Sequence, residues 1–191
     1  MGLCIYYKGS IISEDLLEPL IEEVTDICRS LGWRSTTLDG IGDDDNLRGV
    51  CFGPEKSEPI FLTFIPGGRL CSPVSLMCRE IYDGIQFEKE LMYTAGTKTQ
   101  FAGPDAHIAI IKLLKYISKK YLKDFTLTDE GDYWETGDEK ILYAQFGKYN
   151  FLFDVVGEAL GSMQAIPGET AETLAERIGK ILNEKFNGNK D

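Results

Sequence analysis

The sequence predicts an α+β fold: a mostly antiparallel sheet of five or six strands packed against two or more helices, with a helical C-terminal portion. Three observations carry this. Two long stretches repeat apolar residues at helical spacing. Short runs rich in β-favouring residues lie between them, separated by Gly-Pro and Pro-Gly-Gly turns. The last part of the chain returns to helical spacing, so strands and helices are segregated rather than alternating.

Residues 3–8 (LCIYYK) form the first expected strand, ended by Gly9. Ser13 is placed to cap a helix, with Glu14 and Asp15 in its first turn. Leu17, Leu20, Ile21, Val24, Ile27, Cys28 and Leu31 then keep one apolar stripe as far as Gly32, a natural stop. Pro19 is awkward within it: either the helix is kinked there, or a preliminary turn precedes a helix that starts near Glu18, and the unbroken periodicity favours one helix with a bend. Trp33 is expected to fold back on the helix end.

Residues 34–38 read as a strand and residues 39–46 (DGIGDDDN) as a polar loop. With Asp43 as first ligand, an EF-hand would place Leu47 fifth and Arg48 sixth, so the calcium pattern fails and the loop reads as a solvated turn. Residues 49–52, 60–65 and 69–72 follow as strand, turn, strand, turn, strand: an antiparallel meander. Residues 74–83 are ambiguous, and 88–95 suggest a further strand running into Gly96.

The chain is organised around residues 96–138. Gly103 ends the incoming segment and Pro104 suits a first helical position. Ile110, Leu113, Leu114, Ile117 and Tyr121 form the inner stripe, with Lys112, Lys115 and Lys119 outside. Residues 125–128 are a strand, 129–138 an acidic aromatic loop, and a helix starts near Asp138 with Gly147 interrupting it. Residues 149–160 read as a buried helix, with a strand as the alternative, and residues 170–186 as an amphipathic helix with Leu174, Ile178, Ile181 and Leu182 inward. A single domain, 1–191, is expected, with 1–95 (helix plus meander) and 96–191 (helix-rich) as its lobes.

Composition narrows the function. A net charge of −11 with acidic residues outnumbering basic ones 31 to 20 disfavours nucleic acid and anionic membrane surfaces as partners. No apolar run reaches the ~20 residues that span a bilayer. The N-terminus lacks a secretory pattern, and the 5 cysteines, with no C-x-x-C pair, read as reduced thiols of a cytoplasmic protein.

Three places could carry chemistry. Gly96-Thr97-Lys98-Thr99 fails the P-loop pattern because Thr97 separates glycine from lysine. His107, the only histidine, stands beside the apolar stripe near a helix N-terminus, where a neutral imidazole serves either as general base or as a core hydrogen-bonding group. Asp129, Glu130, Asp132, Glu135 and Asp138 surround Tyr133 and Trp134, a pattern of carboxylates with aromatic anchors.

These features support two classes of function. The first is a small acidic interaction or regulatory module, immunity-like in size and acidity, binding a protein partner through Tyr133, Trp134 and Glu130. The second is a hydrolase-like or small-ligand-binding protein using His107, Asp129, Asp132 and Glu135. Asp129, Asp132 and Glu135 are also the nearest to a metal-ligating set, although no metal or cofactor is expected.

Overall fold

The computed structural model describes residues 2–41, 46–81, 92–161, 163, 166 and 168–188. The chain divides into two compact units, Met1–Tyr143 and Ala144–Asp191.

The first unit is α+β. Strand β1 (Cys4–Ile11) leads through a 3-10 turn (Glu14–Leu16) into helix α1 (Leu17–Leu31). Strands β2 (Arg34–Ile41), β3 (Leu47–Gly53) and β4 (Ile60–Phe64) follow, then helix α2 (Pro73–Ile81). Strand β5 (Ala95–Lys98), helix α3 (Pro104–Tyr121), strand β6 (Leu122–Asp129) and the short helix α4 (Tyr133–Thr136) come next. Helix α5 (Glu139–Gly161) begins in this unit and continues into the second, where α6 (Ala171–Gly188) follows.

The expected single sheet of five or six strands is two three-stranded antiparallel sheets, ordered β5-β1-β6 and β2-β3-β4. The reason is edge occupancy. Strand β1 uses both edges on β5 and β6, and β3 uses both on β2 and β4. One sheet would therefore need β2 or β4 to pair with β5 or β6. Instead the sheets are joined by side chains and single bridges. The buried Tyr7 hydroxyl accepts from Phe61 N–H at 2.9 Å and donates to Phe61 O at 3.1 Å. Arg69 bridges to Ser10 and Leu70 to Phe64, so the expected strand at 69–72 is reduced to two bridges.

Because β1 is antiparallel to both neighbours, β5 and β6 run the same way, and α3 joins them across β1. That is a split β-α-β unit. Helix α3 buries Ile108, Ile110, Ile111, Leu113, Leu114, Ile117 and Tyr121, and α1 buries Leu17, Leu20, Ile21, Val24 and Cys28. Helix α1 packs on β2 and β3, whose Val50 and Phe52 complete that core.

At Pro19 the favoured bend is absent and the alternative, a preliminary turn before the helix, is what forms. The helix proper starts at Leu17 after the 3-10 turn, so Pro19 lies in the first turn, where a missing N–H breaks no intrahelical bond. Gly32 takes a left-handed conformation (φ 68°), and Trp33 N–H returns to Cys28 O at 2.8 Å. Gly147 does not interrupt α5, which runs unbroken, and 149–160 is helical as expected but not buried: Phe151, Phe153 and Leu160 are exposed, while Val155 is buried. In α6, Ile178, Ile181 and Leu182 are half-buried, but Leu174 is exposed. None of the five cysteines is in a disulfide. The aspartates at 43–45 and residues 88–91 of the strand expected at 88–95 lie outside the described residues; of the remainder only Ala95 is strand, as the first residue of β5.

Candidate functional site

The acidic loop and the histidine meet, although 22 residues separate His107 from Asp129. Asp129 ends β6, in register with Ile5 of β1. Thr99 follows β5, its N–H bonded to Leu3 O at 3.0 Å. His107 lies in the first turns of α3, which Gly103 (φ 89°) and Pro104 start at that point. The split β-α-β unit thus brings three strand ends and one helix start together.

Asp129 is the hub. Its Oδ1 accepts the Gly131 N–H at 2.7 Å, and its Oδ2 accepts those of Tyr133 and Trp134 at 2.8 and 3.0 Å. His107 Nε2 lies 2.9 Å from Oδ1, and His107 Nδ1 lies 2.7 Å from Thr99 Oγ1. In the neutral imidazole with its proton on Nε2, Nδ1 accepts the Thr99 hydroxyl proton. The Asp129 and His107 side chains are 0% exposed, as is Thr99.

Burial alone would raise the Asp129 carboxyl pKa, but the His107 contact and the N–H groups of Gly131 and Trp134 outweigh it and hold it below the usual range. Gly131 allows the tight return of the chain. A Cβ there would stand 2.5 Å from Leu142 Cδ1 and 3.1 Å from both Asp129 Oδ1 and His107 Nε2.

The arrangement of hydroxyl, imidazole and carboxylate has the order of a nucleophile, base and orienting acid. In this conformation it is sealed. A substrate atom cannot reach a fully buried Thr99 or His107, and the four bonds on Asp129 are spent on the backbone of residues 131–134 and on His107. What the cluster does physically is close and fix that loop.

The remaining sequence-derived candidates lie on its rim. Asp132 and Glu135 are exposed, so the structure brings Asp129 to His107 and leaves the other two carboxylates in solvent. Glu130 is exposed too, with Oε2 accepting Cys4 N–H at 2.8 Å. Tyr133 is buried at 6% exposure. Trp134 is half-buried, its ring 6.0 Å from that of Phe125. Lys115 Nζ lies 5.0 Å from the indole centre and donates to Trp134 O at 2.7 Å. Asp138 accepts Lys140 N–H at 2.8 Å, as expected of a residue capping α5.

Two participants escaped the sequence reading. Thr99 drew notice only within the failed phosphate motif, and Lys115 only as part of a basic stripe. Nothing local marks either, because their partners lie at distant positions. The signal that was present is Gly131 two residues after Asp129, a spacing that suits a side chain bonding its own downstream backbone.

No group of three or more His, Cys, Asp or Glu side chains among the described residues is arranged to hold a metal ion. No described helix is long and apolar enough to cross a membrane. No family model, curated protein or solved structure matches the chain.

Proposed function

We propose that the chain is a protein-interaction module whose recognition surface is the acidic loop around Trp134, and that its partner is a protein presenting basic residues. One observation carries this reading: the loop is pinned from beneath by a buried carboxylate while its rim remains in solvent. Asp132, Glu135 and Asp138 are exposed around the half-buried indole. A loop already held by three N–H bonds to Asp129 loses little conformational freedom on binding, which is the main cost that pre-organisation removes. The indole, set between Phe125 and Lys115, is a rigid anchor of the type that dominates interface energies. A net charge of −11 favours encounter with a cationic surface and makes the association rate fall with added salt.

The test is capture of partners from native extract by wild type, by Trp134→Ala and by Asp132→Lys/Glu135→Lys, each checked for folding by circular dichroism. Tyr133 is left intact because it is buried, so its removal would report on stability. The expected outcome is a basic protein recovered by wild type and reduced about ten-fold or more by either variant, the loss typical of a central anchor or a close charge pair. Equal recovery by all three folded proteins would move the recognition surface elsewhere.

A further inference from the structure

The main chain of β2 leaves one edge of the β2-β3-β4 sheet open. Which of its residues face outward follows from bonds at the far edge. Phe61 N–H donates to the Tyr7 hydroxyl and Phe61 O accepts from it, while Thr63 O accepts Cys71 N–H at 2.9 Å. Main-chain groups of successive strand residues point to opposite edges, so Ile60, Leu62 and Phe64 are the residues that bond β3. Their partners there are Phe52, Val50 and Arg48. Gly49, Cys51 and Gly53 therefore bond β2, at Leu38, Thr36 and Arg34. Ser35, Thr37 and Asp39 are left pointing their N–H and C=O away from the sheet, and no described residue meets them there.

This edge is built unlike the others. The outer side of β4 is taken by Tyr7 and residues 69–71, and that of β5 by Glu58, whose N–H bonds Lys98 O at 2.9 Å. The outer side of β6 runs into the acidic loop, where a second copy of this chain would meet like charge. Proteins usually blunt a long open edge with lysine, proline or a bulge. Over residues 34–39, β2 has no lysine and no proline, and its bulge comes only between Asp39 and Ile41. Residues 35–38 are uncharged, Arg34 stands at one end, and Asp39 at the other is matched by Arg48 at 2.9 Å. The strand thus presents no run of like charge to a second copy. Run antiparallel, the two strands bring the Arg34 end of each to the Asp39 end of the other, which is complementary.

We propose that β2 pairs antiparallel with β2 of a second copy, joining two three-stranded sheets into one of six strands. Only registers that oppose outward residues to outward residues satisfy the open groups. The register with Thr37 opposite Thr37 pairs all three outward residues of both copies, and no other register does. It sets Ser35 against Asp39 and Thr36 against Leu38, with Thr37 on the two-fold axis. Each is a compatible cross-strand pair: hydroxyl with carboxylate, methyl with methyl, threonine with threonine. About six main-chain hydrogen bonds form, from Ser35, Thr37 and Asp39 of each copy. An interface made by one strand pair is small, so the dimer is a weak one.

The experiment is sedimentation velocity of the full chain over a concentration series reaching about 1 mM, the range in which small interfaces associate. Wild type is expected to pass from monomer to dimer. Thr37 is exposed and meets itself across the axis, so Thr37→Lys should set two like charges face to face and weaken the dimer about five-fold or more. Thr37→Glu should do the same, and an equimolar mixture of the two variants should associate about five-fold more tightly than either alone. Amide hydrogen exchange of wild type reads the register. Exchange at Ser35, Thr37 and Asp39 should slow as concentration rises, while Thr36 and Leu38, already bonded to β3, should not change. The proposal is overturned if wild type stays monomeric throughout, if both folded variants dimerise like wild type, if mixing them restores nothing, or if the dimer leaves these three amides unprotected.

Discussion

At the scale of single residues, the account rests on Asp129. Replacing it with asparagine puts a carboxamide NH₂ against backbone N–H donors and removes the charge facing His107. The expected cost is about 3 kcal/mol, in the range for breaking a buried charge-assisted network. The pH dependence has a definite sign. The folded-state pKa of Asp129 is lowered, so its contribution is fully present above the unfolded value, roughly 3.9, and is lost as pH falls through the folded pKa. Urea denaturation of wild type and Asp129→Asn should therefore show a stability gap at pH 7 that narrows below about pH 4. A gap unchanged down to pH 2 would mean that the carboxylate charge is not what stabilises the loop. Glu23 adds to the acid sensitivity of the wild type. The hydroxyls of Tyr116 and Tyr121, with Lys120, hold its carboxyl at about 2, so its share is lost between about pH 4.5 and 2. Both proteins carry Glu23, so their difference isolates Asp129.

At the scale of elements, close backbone approaches set the strictest demands. Gly49 of β3 has φ 144°, and a Cβ there would stand 2.1 Å from Leu62 O and 2.7 Å from Thr63 Cα. Those atoms belong to the paired strand and cannot turn aside, so Gly49→Ala should destabilise by about 3 kcal/mol or more. At Gly131 the nearest obstacle is the end of a leucine side chain, and Gly131→Ala should cost less, about 1–3 kcal/mol. Chemical denaturation of both variants checks the order. Helix α3 was legible in the sequence because its start (Gly103, Pro104), its stripe and its basic end are all local signals. So was the succession of β3 and β4, because the Gly53-Pro54 turn announces itself, whereas the third strand of their sheet is β2 and not residues 69–72 as the meander pattern suggested. The split into two sheets was not, since it depends on Tyr7 meeting Phe61 across 54 residues and on which edges β1 leaves free. At Pro19 the sequence offered both a bend and a preliminary turn, and the apolar stripe favoured the wrong one, because a 3-10 turn keeps nearly the same spacing of apolar residues.

At the scale of the whole molecule, a sheet of three strands with one crossing helix gathers residues from four parts of the chain into one buried cluster. The sequence singled out residues 96–138, which contain Thr99, His107, Asp129 and Gly131 of the cluster, but not the division of labour among them. It grouped Asp129 with Asp132 and Glu135 because they are neighbours in sequence. The fold separates them, since Asp129 still belongs to a strand whose inner face is buried and the other two follow the turn outward. The central claim is that Asp129 keeps the acidic loop closed in the free protein. Native-state hydrogen exchange tests it most directly, through the amides of Gly131, Tyr133 and Trp134, with Ile110 and Ile111 of α3 as internal standards. The account predicts slow exchange of the three loop amides in wild type. It also predicts acceleration by roughly a hundred-fold in Asp129→Asn, beyond any change at Ile110 and Ile111. Exchange of these amides at the rate of an open loop in wild type, or no selective change in the variant, would contradict it.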